Sequence, residues 1–472
     1  MLFNSLQFAL FLPCVFAIYW CLRRWLKWQN LFVLAASYLF YGWWDWRFLM
    51  LIALTSTLSY VSGLLIERGQ CRKTAMWSNI AVNIAILGLF KYYDFFAQSF
   101  ANLFLGGEAD HLLLHLILPV GISFYTFQAI SYSIDVYRGS VKATHDVVAF
   151  FAYVSFFPQL VAGPIERASN LLPQFEKFRR FDYAVAVDGL RQMLWGLFKK
   201  MVVADTCALY VDKVFAAPMD YSGATLAVAA MLFAIQIYGD FSGYSDVAIG
   251  TAKLFGISLR RNFNVPYFSR DIAEFWRRWH ISLTSWFRDY VYIPLGGSRV
   301  GRLRVVFNTF VIFLLSGFWH GANWTFLAWG FFHALLFLPL ILLGKNRRFR
   351  DVVASDRHLP SVSDSCRMLL TFALVSLGWV LFRSPSIGFA AHYLAHLFGK
   401  GDTLVPWGGE FTALIPSIVL MFGVEWLNRR CSHEFERHCH FRLLRWTGYA
   451  LLIFIIVAFM QTNEMPFIYF QF

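Results

Sequence analysis

The stretch 322–343 reads ANWTFLAWGFFHALLFLPLILL and contains no aspartate, glutamate, lysine or arginine. A helix that crosses the hydrocarbon core of a bilayer needs about 20 mostly apolar residues to span about 30 Å. The stretch meets both requirements, and it therefore predicts a transmembrane helix surrounded by membrane lipid.

Apolar runs of the same kind recur along the whole chain. They lie at 1–21, 30–43, 48–66, 76–92, 112–134, 184–205, 223–238, 305–319, 322–343, 368–383, 412–427 and 446–460. The run 147–165 either crosses the membrane or dips in and returns. The pattern predicts an all-α polytopic membrane protein with about 11–13 transmembrane helices, forming one domain over residues 1–472.

The composition excludes a soluble protein of this size. Hydrophobic residues make up 58% of the chain and charged residues only 15%. Soluble domains average roughly 45–50% apolar and about 25% charged residues. There is too little charge here to cover a soluble surface.

The net charge of +13 is distributed unevenly between the loops. On one side, 32 of the 41 lysines and arginines lie in the loops 22–29, 67–75, 135–146, 166–182, 260–304, 344–367 and 428–445. The opposite loops carry only Arg47, Lys213 and Lys400. Because cytoplasmic loops are enriched in positive residues, this predicts a multi-pass membrane protein whose basic loops face the cytoplasm, with no nucleic-acid partner. The side of the C-terminus stays open.

The longest basic loop, 260–304, contains nine arginines and no lysine. At about 100° per residue, the aromatic residues of 275–290 share one face of a helix, which predicts an amphipathic helix at the membrane interface. The planar guanidinium group suits phosphate recognition better than the lysine ammonium does. We therefore expect Arg277, Arg278 and Arg288 to contact a phosphate-bearing donor.

Two histidines in or near this loop are candidate functional residues. His320 lies 16 residues beyond Arg304, which places it roughly 24 Å along a helix from the basic face. A polar residue at that depth is costly and predicts a function. Gly317 and Gly321 beside it weaken a helix and suggest a cavity. His280 lies at the edge of the aromatic face, from which it could reach inward.

No other pattern predicts a metal site or a resident nucleophile. Cys431, His433, His438, Cys439 and His440 are crowded together, but their spacing matches no tetrahedral zinc pattern and indicates a solvated loop. We expect no metal and no permanently bound cofactor. From the residues alone, a secondary transporter or flippase stays an alternative function, because Arg191, Asp240 and Asp246 could line an ion path.

Several segments resemble the signature of the membrane-bound O-acyltransferases, and in particular its bacterial alginate O-acetyltransferase branch. They are EFWRRWHISLT at 274–284, RDYVYIPLGG at 288–297, FWHGANWTF at 318–326, YGDFSGYSD at 238–246, FPQLVAGPI at 157–165 and PFIYFQF at 466–472. The resemblance extends over essentially the whole chain.

The resemblance implies a ring of helices around a central catalytic pore, with a donor tunnel from the cytosol and an acceptor funnel outside. It also implies two functional histidines, carried here by His280 and His320, of which the second is the essential one. In the exopolysaccharide branch the acetyl group is passed to a periplasmic acetyltransferase partner. A related branch uses the same scaffold to transfer D-alanine to lipoteichoic acid.

The function expected from these observations is acyl transfer from a cytoplasmic thioester to an extracytoplasmic hydroxyl. A histidine, whose unperturbed pKa is about 6.5, can take the proton of the attacking hydroxyl. We expect His320 to act as this base, and His280 to orient the thioester or to stabilise developing charge. The donor is either acetyl coenzyme A or an acyl carrier thioester. The polymer is alginate, cellulose or another exopolysaccharide, and a role within an exopolysaccharide synthesis complex is compatible with catalysis.

Overall fold

The protein is described by a computed structural model over residues 1–69, 71–106, 110–160, 163–402, 409–433, 435–436, 441–460 and 467–468. The chain divides into two compact units. The first comprises residues 1–190 and 248–260, and the second comprises residues 191–247 and 261–472. All of the residues proposed for the site belong to the second unit.

The described part of the chain is helical, as expected. Its first twelve helices are α1 Leu6–Cys21, α2 Leu26–Gly42, α3 Phe48–Glu67, α4 Arg72–Leu87, α5 Tyr93–Phe104, α6 Ile122–Tyr137, α7 Val147–Ser155, α8 Phe157–Leu160, α9 Ala168–Phe175, α10 Tyr183–Leu197, α11 Asp205–Ala216 and α12 Gly223–Leu254. They are followed by α13 Ile272–Arg278, α14 Ile281–Phe287, α15 Arg302–His320, α16 Trp324–Leu342, α17 Val362–Arg383, α18 Ile387–His396, α19 Gly409–Asn428 and α20 Arg442–Ala458. Among the described residues, π-helical turns at Gly88–Tyr92 and Phe198–Ala204 connect α4 to α5 and α10 to α11.

Within the described residues, six helical segments are long and apolar enough to cross a bilayer. They are Phe48–Glu67, Arg72–Phe104, Gly223–Leu254, Arg302–His320, Trp324–Leu342 and Val362–Arg383. Two more apolar helices, Leu6–Cys21 and Ala413–Asn428, are shorter. The prediction of a polytopic membrane protein is therefore confirmed, whereas the ring of helices and the count of about 11–13 stay predictions.

Two apolar runs have a different structure from the one that hydropathy suggests. The run 112–134 becomes helical only at Ile122, because Pro119 cannot donate a backbone hydrogen bond and Gly121 has a left-handed φ of 75°. The run 147–165 contains two short helices separated at Phe156. Neither of these two short helices is long enough to cross about 30 Å at 1.5 Å per residue.

The segment 272–292 is not the single interfacial helix that its periodicity predicts. It forms the short helices α13 and α14, which are separated by Trp279 and His280. Backbone hydrogen bonds from Asn264 to the Arg278 carbonyl (2.9 Å) and from Ile281 to the Asn262 carbonyl (2.8 Å) draw this part of the chain out of the helical path. The aromatic residues of the segment are consequently buried in protein rather than exposed to lipid.

Helices α15 and α16 form a hairpin that carries His320 at the end of α15 and His333 within α16. Asn323 begins α16 by accepting a hydrogen bond from the Thr325 amide at 3.0 Å. A Cβ atom on Gly317 would lie 2.2 Å from the Phe326 carbonyl oxygen, and one on Gly330 would lie 2.3 Å from the Phe313 carbonyl oxygen. The two glycines therefore allow the helix backbones to touch, a packing mode common between membrane helices. Gly317 therefore serves close packing, in addition to the weakening of the helix near His320 that the sequence suggested for Gly317 and Gly321.

Gly330→Ala is expected to lower the thermal midpoint of the purified protein, because the new methyl group forces α15 away from α16. Overpacking of this kind typically costs about 1–3 kcal/mol. Gly423→Ala in α19 is the matched control, since a Cβ atom there meets no neighbour within 4 Å. Equal midpoints for the two variants, measured by thermal unfolding in detergent, would contradict the packing role.

Candidate active site

His280 is held at the junction of α13 and α14 by an asparagine. Its backbone is left-handed, with a φ of 44°, and its side chain is only 1% exposed. Its Nδ1 atom lies 3.1 Å from Asn262 Oδ1. The same oxygen accepts hydrogen bonds from the amide and the hydroxyl of Ser282, at 3.3 and 2.9 Å. These contacts fix both the imidazole and the turn that carries it.

The Asn262 contacts define the tautomer of His280. A backbone N–H can only donate, so the Asn262 atom that faces the Ser282 amide is the side-chain oxygen. His280 Nδ1 must then carry the proton and donate it to that oxygen. Burial lowers the pKa of His280 to about 3, which keeps the ring neutral. Its Nε2 atom is therefore a buried lone pair, and it has no hydrogen-bond partner among the described residues.

His320 is the last residue of α15 and is 4% exposed. Its ring centroid lies 5.0 Å from that of Trp319 and 5.1 Å from that of Trp329. The Trp319 ring also packs against His280, with centroids 5.9 Å apart. The structure therefore brings the two histidines named from the sequence into contact with the same indole ring.

The second unit also contains a cavity of about 510 Å³, and neither His280 nor His320 belongs to its wall. Its wall combines apolar side chains with basic and polar ones: Ala273, Trp276, Arg277, Thr284, Arg288, Tyr292, Ser298, Thr309, Ile312, Phe313, Phe337, Ile341, Asn346, Arg347 and Arg350. Such a cavity can hold an elongated ligand that has an apolar part and an anionic part.

The three arginines predicted on the donor side do not have equivalent positions. Arg277 and Arg288 line the cavity, whereas Arg278 does not. Arg278 is buried and forms an ion pair with Glu274 at 2.9 Å. Arg277 donates to the carbonyl oxygens of Asn346 and Phe349, and thereby holds the loop that follows α16.

Arg288→Ala is expected to raise the apparent KM for the acyl donor and to leave kcat nearly unchanged. The side chain is exposed at the cavity and, within the described part of the chain, forms an ion pair with its neighbour Asp289 alone, at 2.6 Å. Its loss therefore removes charge without disturbing the core. Arg302→Ala is the control, because Arg302 is exposed and lies outside the cavity wall. A loss of kcat at unchanged KM would instead indicate a role in folding or chemistry.

The carboxylates of the transporter hypothesis are ion-paired. Asp246 lies 2.5 Å from the Lys199 ammonium group, and Asp240 lies 2.9 Å from that of Lys200. Both lysines lie on the π-helical turn 198–204. The two carboxylates are therefore neutralised by fixed partners, which does not favour an ion path along them.

Several residues around the site were not identified from the sequence. Arg347 and Arg350 enter the cavity wall from a loop distant in sequence, and Asn262 reaches His280 from 18 residues away. Only the density of arginines in 344–367 could have suggested the first two. Part of the cysteine and histidine cluster, at 438–440, lies outside the described residues, and so does most of the C-terminal motif, at 466 and 469–472.

The chain is similar to characterised families of acyltransferases. The sequence model of the membrane-bound O-acyltransferase family (MBOAT) matches residues 140–363. The probable alginate O-acetylase AlgI of Pseudomonas aeruginosa is 39% identical over 407 residues, which are 85% of this chain and 75% of that protein. The peptidoglycan O-acetyltransferase of Helicobacter pylori is 32% identical and covers 100% of this chain and 98% of its own length.

A more distant relative is the teichoic acid D-alanyltransferase of Bacillus subtilis, which is 26% identical over 68% of this chain and 81% of its own length. The motifs that contain His280 and His320 lie within the region matched by the family model. With relatives above 30% identity over most of its length, the chain belongs to the membrane-bound O-acyltransferase family and is an O-acyltransferase of the membrane.

Proposed function

We propose that this protein transfers an acetyl group from a cytoplasmic thioester to a hydroxyl group on the far side of the bacterial inner membrane. The observation that carries the proposal is that two buried histidines contact the ring of Trp319, in the same unit as a cavity with a basic wall. The hydroxyl oxygen attacks the thioester carbonyl carbon, and His320 takes the hydroxyl proton. The carbon–sulfur bond then breaks, and the thiolate takes that proton from His320 as it leaves.

His280 contributes to this reaction as a hydrogen-bond acceptor. Because its Nδ1 proton is committed to Asn262, its Nε2 atom cannot donate a hydrogen bond to a carbonyl oxygen. It can accept one from the incoming hydroxyl, or from the His320 imidazolium after proton transfer. This acceptor role does not favour the stabilisation of negative charge expected from the sequence, and it orients the hydroxyl rather than the thioester.

The cavity supports a phosphate-bearing thioester as the donor. Its apolar wall suits an acyl group and a pantetheine arm, and the guanidinium groups of Arg277, Arg288 and Arg347 suit phosphate oxygens. Coenzyme A and the phosphopantetheine of a carrier protein share this chemistry. Neither donor requires a metal or a permanently bound cofactor.

The acceptor proposed first is a secreted exopolysaccharide such as alginate, reached through a periplasmic acetyltransferase partner. The 39% identity to alginate O-acetylases supports it. Peptidoglycan is the second candidate, because the Helicobacter pylori peptidoglycan O-acetyltransferase matches this chain from end to end. D-alanyl transfer to an envelope polymer is supported less, by relatives of 26–27% identity.

The proposal is tested with inside-out membrane vesicles that contain the protein in its native membrane. The vesicles are supplied with the soluble extract of the host, ATP and radiolabelled acetate, so that the host's own enzymes make the thioester. We expect label to enter polymer-bound ester, and to be absent from vesicles of a strain that lacks the gene. Accumulation of an unaltered labelled substrate inside the vesicles, without ester formation, would support transport instead.

A further inference from the structure

A third histidine lies deeper in the same aromatic core. His333, on α16, is 0% exposed, and its ring centroid lies 5.0 Å from the centroids of both Trp276 and Trp329. The Trp329 ring packs on His320 with centroids 5.1 Å apart. Trp276 and Phe313, whose rings also contact His333, belong to the wall of the cavity. Ring contacts therefore link His333 to the cavity wall through Trp276 and Phe313, and to His320 through Trp329.

Neither ring nitrogen of His333 has a hydrogen-bond partner among the described residues. The indole nitrogens of Trp276 and Trp329, whose rings touch His333, lack partners as well. Buried polar atoms are nearly always hydrogen-bonded, and a cluster of exceptions calls for a missing ligand. An indole nitrogen can only donate, and an imidazole carries at least one N–H in either protonation state. His333, Trp276 and Trp329 therefore present at least three buried N–H groups that a hydrogen-bond acceptor would satisfy.

We propose that His333 donates a hydrogen bond to the carbonyl oxygen of the acyl donor, and stabilises the negative charge that this oxygen gains during attack. The assignment rests on the proposed acyl transfer and completes it. His320 accepts the hydroxyl proton, the free nitrogen of His280 can only accept, and neither supplies a donor for the oxyanion. His333 is unchanged by the reaction, since its proton stays on the ring while the thiolate takes its proton from His320.

The neighbouring helix holds the ring in place. A Cβ atom on Gly378 of α17 would lie 2.8 Å from His333 Nε2 and 3.3 Å from the Phe332 ring. Gly378 thus permits a close approach that fixes the imidazole. Removing one preorganised donor from an oxyanion site typically lowers kcat by about 10²–10³-fold.

His333→Phe and His333→Gln separate this role from a structural one. Phenylalanine fills the same space without polar atoms, so it should leave the thermal midpoint unchanged or higher, because two unsatisfied nitrogens are removed. The initial rate of polymer acetylation in the vesicles should nevertheless fall by about a hundredfold or more. Glutamine retains an N–H donor and is expected to keep a substantial part of the wild-type rate. Rates are compared at equal amounts of membrane-inserted protein.

Each outcome decides the assignment. A stable His333→Phe protein with a near-normal rate would overturn it, and so would a glutamine variant as slow as the phenylalanine variant. If both variants lose stability in parallel with activity, His333 is a packing residue and the assignment also fails. If wild-type vesicles transfer no acetyl group, the proposed function fails first, and this result is seen before any variant is compared.

Discussion

Replacing His320 with alanine is expected to lower the rate of acyl transfer by about 10²–10⁴-fold, the contribution typical of a general base. The side chain is buried against the rings of Trp319 and Trp329, where water cannot readily replace it as the proton acceptor. The effect should fall on kcat, since a base acts in the transition state and not in donor binding.

His392→Ala is the matched control for this substitution. His392 belongs to the same unit but is exposed on α18, away from the aromatic core. It should leave both the rate and the membrane level unchanged. A loss of activity in His320→Ala that merely followed a loss of inserted protein would remove the support for a chemical role. Both variants are therefore quantified in the membrane before their rates are compared.

Asn262→Leu is expected to lower the rate about as much as His280→Ala, roughly a hundredfold as for a mispositioned group, although residue 262 need not touch the substrate. The substitution preserves size but removes the oxygen that holds the Nδ1 proton of His280 and accepts from Ser282. The imidazole is then free to turn, and to move its proton to Nε2, where it no longer accepts.

The comparison that identifies this mechanism is a double substitution. If Asn262 acts through His280, then His280→Ala combined with Asn262→Leu should be little slower than His280→Ala alone, because residues that act as a unit are not additive. Fully multiplicative losses would mean that Asn262 supports the fold independently of His280. Wild-type activity in Asn262→Leu would show that the tautomer is irrelevant.

Much of the membrane architecture could be predicted from the sequence because hydropathy reports directly on the solvent of each helix. The run 322–343 lies within two residues of helix Trp324–Leu342, and 305–319 lies inside Arg302–His320. The family could also be predicted, since the motifs around His280 and His320 are long and specific. The comparisons confirm that assignment.

What the sequence could not supply was tertiary context. Periodicity predicted a continuous helix over 275–290, but contacts from residues 262 and 264 break it at His280. Arg278 looked like a phosphate ligand, and only the structure shows its pairing with the buried Glu274. His333 lies in an apolar run, from which neither its contacts with the cavity wall nor its missing hydrogen-bond partners can be read.

The most direct test of the catalytic assignment is the acetylation rate of His320→Gln, measured in the native membrane at a protein level equal to wild type. The glutamine side chain can still form hydrogen bonds, but its amide cannot accept a proton at neutral pH. If His320 is the base, the glutamine variant should be nearly as slow as the alanine variant, at least about a hundredfold below wild type. Near-normal acetylation by His320→Gln would mean that this histidine only positions the substrate, and that the base lies elsewhere.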